Sequence, residues 1–480
     1  MTNPPTNEPT LRPFRYSRLS DEGFQHIHAA SLEILERIGV RVHHQEAIDL
    51  LVKAGASVED GDLIRLPHRL VDEALESAPK QVTLYNRNGE PVMPMSGDAC
   101  FFGPGSDCLN IIDHRSGERR KPLLQDVVEG TRLCDALANI DFVMSMVLPA
   151  DVEQTIADTY QAEAMLTNTI KPLVLVSYGV QGLVDAVEMA EIILGSEQAL
   201  REKPILSCYI NVVSGAVHNQ ECLEKLLYLS GKSLPAIYIP GSNAGVTSPI
   251  RMPGAVALDL AGGLLGLVIS QLKKQGAPYI LSAMDPAALD MRTFISPYAY
   301  AERGIIRSMT QRYGLPTFSL TGSESKVIDQ QAAAEAALTI LAEVLMGGNI
   351  VHDLGYLESG LTFSFVQLAI CDQIVDWVKA FFRPIEVNEE TLALDVIEQV
   401  GPGGQYLKHK STRAHFREHW YPQLFERGNY ADWQGKGGLT LAERATARVQ
   451  ELLEGHPQAP LPKDIPGRLK EIVQRAQGRR

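Results

Sequence analysis

Cysteine is scarce in this chain and follows no pattern. Six occur in 480 residues, at positions 100, 108, 134, 208, 222 and 371, and no two form a CxxC pair. That spacing excludes a thiolate zinc site and a disulfide framework, and it suits a reducing cytoplasm. Basic charge is also in deficit: 44 Lys and Arg face 58 Asp and Glu, for a formal net charge of −14. Most of such a surface repels a phosphate backbone, so nucleic acid is not an expected partner. The basic end Gly478-Arg479-Arg480 is too short to act as a tail. The N-terminus, with Pro4, Pro5, Asn7 and Glu8, lacks the apolar stretch of a signal peptide. Long hydrophobic runs are rare as well. Ala255 to Leu272 approaches the length of a bilayer span, but it contains Asp259 and many small residues and has no second span to pair with. It reads as a core helix, apolar on most sides, and no membrane is expected. No GxGxxG turn follows the first candidate strands, which weakens a dinucleotide-binding reading.

What is present is an ordinary globular composition, 45% hydrophobic and 21% charged, on a chain long enough for one large catalytic domain with additions. From about Ile140, short β-branched runs alternate with helical stretches. The runs are Ile140 to Val147, Pro172 to Ser177, Ile205 to Val213, Ala236 to Pro240, Pro278 to Ala283, Thr317 to Thr321 and Ile350 to Leu354. Between them, Gln154 to Asn168, Val180 to Leu194, Asn219 to Ser230, Ala299 to Tyr313 and Asp329 to Met346 suit crossover helices. This regular repeat predicts an α/β fold, a (β/α)8 TIM barrel rather than an open doubly wound sheet. The eighth strand has two candidates, Ala99 to Phe102 and a segment after Glu386. Residues 1–98, with amphipathic patterns at Asp21 to Ile38 and Gln45 to Ala54 ending at Gly39 and Gly55, are expected to form an N-terminal helical cap. Residues 99–387 form the barrel, and 388–480 a C-terminal extension wrapping it.

Barrel enzymes keep their chemistry just past the C-terminal ends of the strands. There the chain carries Val213-Ser214-Gly215, Gly241-Ser242-Asn243-Ala244-Gly245, Thr321-Gly322-Ser323-Glu324-Ser325-Lys326 and His352-Asp353-Leu354-Gly355-Tyr356-Leu357-Glu358-Ser359-Gly360. Lys326 is a candidate Schiff-base nucleophile if desolvation lowers its pKa, set against a plain ion pair with Glu324 or Asp329. His415-Phe416-Arg417-Glu418-His419 has HxxEH zinc spacing but falls outside the barrel, so a surface helix is the simpler account and no metal is expected. His352 closes a hydrophobic strand. Besides a hydrogen-bonded core role, it offers a wall, with Phe101, Phe102, Tyr209 and Phe363, for an aromatic pocket of the kind that attracts quaternary ammonium groups.

The late motifs resemble the trimethylamine methyltransferase family. They are Gly322-Ser323-Glu324-Ser325-Lys326, then Asp329-Gln330-Gln331-Ala332 and Glu335, Gly348-Asn349-Ile350, Gly355 to Gly360, Gly401-Pro402-Gly403-Gly404 with Tyr406-Leu407, Thr412 to Arg417, and Trp420-Tyr421-Pro422. Two places depart from the pattern: Ser411 replaces an expected histidine, and Leu260-Ala261-Gly262-Gly263 replaces an Asn-Ala-Glu type of segment. The family's trimethylamine enzymes carry pyrrolysine, which this chain lacks, so the resemblance is to the pyrrolysine-free branch acting on quaternary amines such as glycine betaine. It implies methyl transfer to the Co(I) corrinoid of a partner protein, with cobalamin brought by that partner and no cofactor held permanently. It also implies His352 as the catalytic residue, Phe101, Phe102, Tyr356 and Phe363 around the ammonium with Tyr209 beside them, and Ser325 with His352 orienting any substrate carboxylate. A homo-oligomer in the cytoplasm is expected. The alternatives are a Schiff-base lyase or aldolase using Lys326, and a non-catalytic betaine-binding protein.

Overall fold

The computed structural model describes residues 16–479 apart from 294, 300, 302 and 458. Pro4 to Glu8 and Arg480 therefore lie outside the described residues. The expected barrel is present. Its strands are β1 (Phe101–Pro104), β2 (Val143–Met144), β3 (Leu173–Val176), β4 (Leu206–Val212), β5 (Ala236–Pro240), β6 (Tyr279–Ser282), β7 (Thr317–Leu320) and β8 (Ile350–Leu354), all pairing in parallel. After them in turn come α1 (Leu124–Ala136), α2 (Ala157–Asn168), α3 (Val180–Leu194), α4 (Gln220–Lys232), α5 (Met252–Lys273), α6 (Ile305–Tyr313), α7 (Gln330–Met346) and α8 (Phe365–Phe381). The missing strand is the first, which pairs Phe101 with Ile350 and Phe102 with Val351. Between β1 and β2 the seam holds through Asp141 N donating to Phe102 O at 2.6 Å, Phe102 N donating to Asp141 Oδ2 at 2.8 Å, and Asp107 N donating to Ser145 O at 2.6 Å. The apolar run Ile140 to Val147 is thus spent partly on closing the barrel, so β2 itself is only two residues long.

Two other boundaries moved for local reasons. Helix α6 starts at Ile305 rather than near Ala299, because the Asp285 carboxylate accepts the amide hydrogens of Gly304 and of Ile306 (2.7 Å) and so caps it there. The apolar α5 spans 22 residues with mean hydropathy 1.8 and is long enough to cross a bilayer. Here it is buried between the barrel and three N-terminal helices, Asp21–Glu33, Gln45–Ala54 and His68–Ser77. The departure at Leu260-Ala261-Gly262-Gly263 falls in this helix: a Cβ on Gly262 would sit 2.7 Å from Gly215 Cα, so only glycine lets α5 lie against the loop after β4.

At the N-terminal end of the barrel, an antiparallel hairpin (Val82–Tyr85 with Pro91–Met95) inserts Val82, Leu84, Met93 and Met95 beneath Phe142, Met144, Val174, Ile237, Ile280, Phe318 and Ile350. Each of these plug side chains contributes roughly 1.5–3 kcal/mol of burial. Leu84→Ala is expected to lower unfolding free energy by roughly 2–5 kcal/mol; chemical denaturation measures it, and a change under 1 kcal/mol would mean the hairpin is not a plug. Phe101 also lies in this lower layer. In the C-terminal part, the helix Leu441–Gly455 packs on α8 and α1, and Ile465–Gln477 on α3 and α2. Between α8 and these helices, the short helices Glu389–Leu392, Leu394–Val400 and Lys410–His415 contain no buried residue.

Candidate active site

Going up the barrel, the interior opens. The inward residues Val174, Ile237, Ile239, Ile280 and Phe318 are fully closed off at 0% exposure; on β4, Tyr209 is half-buried and Asn211, two positions further, is exposed. Because alternate residues of a strand face the same side, Asn211 shares the inward face with Tyr209, so solvent enters the barrel at this C-terminal end.

Aromatic rings collect there. His352 packs on Phe318 with centroids 4.2 Å apart and lies 6.2 Å from Tyr209, which is 5.4 Å from Phe318. Tyr298, from the loop after β6, stands 6.0 Å from Tyr356, and Tyr178, just past β3, is 40% exposed. Two carboxylates face the same space. Asp107, after β1, accepts from Gln161 Nε2 at 3.1 Å, and burial pushes it up to about 6. Asp353, at the bulged end of β8 with φ 72°, is 2% exposed. Its Oδ1 lies 3.2 Å from His352 Nε2, and burial holds its carboxyl well above the ordinary range. A non-glycine residue held in the left-handed region stores strain of order 1–3 kcal/mol, which is characteristic of functional sites. Both carboxylates act electrostatically on Tyr209, and Asp353 on Tyr298, Tyr356 and Cys108, which fixes all of them as one cluster.

The chain holds this cluster through its loop motifs. Glu335 on α7 accepts from Ser323 Oγ and from Glu324 N, both at 2.7 Å. Glu324 in turn accepts the amide hydrogens of Tyr298 and Ala299 (3.0 Å) and the hydroxyl of Ser359. The Gly-Ser-Glu-Ser segment is therefore a clamp that places Tyr298. The Tyr356 hydroxyl is tied to the backbone of Ser106, next to Asp107.

The residues expected at the site separate into those that meet and those that do not. Tyr209 and Tyr356 are in the cluster, and His352 lies directly beneath it. The His352 Nδ1 is 2.8 Å from Ser319 O, which can only accept, so Nδ1 carries the hydrogen and Nε2 is bare. Burial lowers its pKa to about 4, leaving a neutral ring whose Nε2 lies 3.2 Å from Asp353 Oδ1. A bare Nε2 has no hydrogen to give a substrate carboxylate. Ser325 Oγ is directed to Val327 O and Asp329 Oδ1, both at 2.9 Å, and so supports the start of α7. Phe102 faces outward under Lys379, 5.7 Å from its ring, and Phe363 packs edge-on between Tyr356 and Phe365, backing the cluster from the outer core. Lys326 is exposed and donates to Glu324 O at 2.6 Å, away from the cluster. His415 pairs with Glu418 at 2.7 Å on the surface, and among the described residues no group of three His, Cys, Asp or Glu could hold a metal. Ser411 lies in the exposed segment, its amide on His409 Nδ1. A surface depression of about 390 Å³ is lined by His43, His44 and Gln220, none of which belongs to a barrel strand.

Asp107, Tyr178, Asn211, Tyr298 and Phe318 were not singled out from sequence. The signal that could have found them is position: Asp107 and Tyr178 lie within three residues of a strand's C-terminal end, and Asn211 is the last inward residue of β4.

The family model "Trimethylamine methyltransferase (MTTB)" matches residues 4–479. The chain is 31% identical over 467 residues to a trimethylamine methyltransferase, MttB, of Desulfitobacterium hafniense, covering 96% of this chain and 94% of the relative. It is 30% identical over 467 residues to a glycine betaine methyltransferase from another strain of that species, covering 96% and 97%. The crystal structure of the Methanosarcina barkeri monomethylamine methyltransferase superimposes with a TM-score of 0.50 at 9% identity, over 93% of this chain and 89% of that one, which shows a common fold.

Proposed function

Because the chain belongs to the trimethylamine methyltransferase family and is a methyltransferase, we propose that it moves a methyl group from a quaternary amine to the Co(I) corrinoid of a separate protein. The observation carrying this reading is the open barrel mouth where Tyr178, Tyr209, Tyr298 and Tyr356 cluster with the carboxylates of Asp107 and Asp353. Aromatic faces and carboxylates both stabilise a permanently charged nitrogen, the rings without asking for a hydrogen bond it cannot give. In the transfer, the N–CH3 bond breaks with its electron pair going to nitrogen, and the Co(I) electron pair forms the new bond to carbon. The leaving group is a neutral tertiary amine, so no proton moves and no general acid is needed. That suits a cluster whose nearest imidazole is buried, neutral and without a free N–H. The chain's own work is to orient one methyl group toward the opening and keep water away from it. The corrinoid is a substrate delivered by the partner at this mouth, and the setting is cytoplasmic, a reading that six unpaired thiols support.

The test mixes the purified protein with reduced corrinoid and a panel of quaternary amines and follows the absorbance of methyl-Co(III). Spectral change with at least one amine is expected; binding with no transfer to any corrinoid would favour a non-catalytic binding protein instead.

The protein is further proposed to work as a homo-oligomer through residues 383–421. There Ile385 is 88% exposed, Leu394 68%, Leu407 77% and Tyr421 66%. Short helices without a buried face are marginal alone in water. The segment is acidic from Glu386 to Glu398 and basic from Lys408 to Arg417, so two copies related by a twofold axis match charge as well as apolar surface. Leu394→Asp with Leu407→Asp is expected to convert the oligomer to monomer in analytical ultracentrifugation. A monomeric unaltered protein would refute this.

A further inference from the structure

The charge around the mouth bears on which quaternary amine fits. A betaine carries a carboxylate next to its ammonium, and once desolvated that carboxylate needs a cation or several donors of its own. Several basic groups near the strand ends have protein partners: Arg303 donates to Leu320 O and pairs with Glu343 at 2.7 Å. Arg119 pairs with Glu358 at 2.8 Å, Lys326 donates to Glu324 O, and Lys225 donates to Ser177 O and Glu221, at 2.7 and 2.8 Å. His352 offers only a bare nitrogen, and the Ser325 hydroxyl is already donated. What the mouth presents instead is the carboxylates of Asp107 and Asp353, the latter buried with its Oδ1 3.2 Å from His352 Nε2, and the amide of Asn211 at the solvent edge.

We propose that Asp107 and Asp353 make this mouth selective for quaternary ammonium cations with no carboxylate beside the nitrogen, such as tetramethylammonium or an amino alcohol of the choline type. The two carboxylates attract the ammonium and repel a second negative charge at the same time, so one arrangement supplies both affinity and rejection. Asn211, placed outward of Tyr209, suits a neutral hydroxyl. The inference rests on the methyl-transfer reading and sharpens its substrate class.

Choline and glycine betaine are close in shape and differ in charge, which makes them the decisive pair. Calorimetric titration of the whole chain with tetramethylammonium, choline and glycine betaine is paired with the methyl-transfer assay on the same three. Choline and tetramethylammonium are expected to bind at least tenfold more tightly than glycine betaine and to give the faster transfer. In Asp107→Asn and Asp353→Asn, the preference should narrow several-fold, mostly through weaker binding of the cations. Each variant's melting temperature confirms folding, and the ranking by the unaltered protein decides the matter even if a variant does not fold. Glycine betaine binding more tightly, or donating faster, would overturn the selectivity while leaving methyl transfer intact. Absence of both binding and transfer for all three would overturn methyl transfer and the selectivity with it.

Discussion

Gly105→Ala is expected to reduce methyl transfer on the order of 100-fold. Gly105 passes where Asp353 Oδ1 and the Tyr356 ring converge, and a Cβ added there would fall well inside van der Waals contact of both. No flexible chain end is available to yield: Tyr356 is anchored by its hydroxyl to Ser106, and Asp353 is held in a left-handed backbone conformation. The added methyl must therefore displace the two groups proposed to face the ammonium, and displacements of about 1 Å at a reacting centre cost on the order of 10²-fold in rate. Destabilisation of about 1–3 kcal/mol is expected alongside it. Gly467→Ala is the control, because Gly467 lies within a surface helix with nothing within 4 Å of a built Cβ. It should leave transfer unchanged and slightly raise the melting temperature. Equal activity of Gly105→Ala and the unaltered protein would place the substrate elsewhere.

Cation affinity should rise with pH. Burial raises the pKa of Asp107 to about 6 and holds Asp353 well above an ordinary carboxylate, so the empty cluster gives up its protons at higher pH than exposed carboxylates would. A permanent cation favours the ionised forms, and its binding lowers both pKa values and expels protons. Affinity for tetramethylammonium should thus climb toward tenfold per pH unit below about pH 6 for the proton on Asp107, and its contribution should level off above that. The other groups facing these carboxylates do not reverse the sign. Burial holds Tyr178, Tyr209, Tyr298, Tyr356 and Cys108 protonated, raises Asp158 in the same direction, and keeps His352 neutral down to about pH 4. Titration calorimetry in buffers of different ionisation enthalpy counts the protons released. In Asp107→Asn the rise near pH 6 should disappear; affinity independent of pH from 5 to 8 in the unaltered protein would mean that neither carboxylate meets the ligand.

The barrel was legible because each unit of it is a local matter. A buried parallel strand must be a short apolar run, and a crossover helix must show a periodic face; both patterns survive in the sequence of Ala236–Pro240, Ile350–Leu354 and Val180–Leu194, whose limits were read without error. The loop motifs after β7 and β8 were legible as well, and so was the family they resemble. The short β2 and the late start of α6 were not, because they depend on hydrogen bonds with Asp107 and Phe102 and on the acceptor carboxylate of Asp285, each distant in sequence.

The members of the cluster divide in the same way. Tyr209 and His352 sit on strands whose alternation points them inward, and Tyr356 lies in the Gly355 to Gly360 motif that carries the family resemblance, so sequence alone reached them. Whether Phe102 and Phe363 face the mouth or the helices is fixed by the register of β1 against β8 and by the packing of α8, which no local pattern encodes. Asp107, Tyr178 and Tyr298 come from separate loops, brought together only when eight strands close and Glu324 clamps the loop after β6. Sequence fixed the periodicity and the chemistry available; closure of the barrel decided which side chains share one space, since that depends on contacts between residues up to about 250 positions apart.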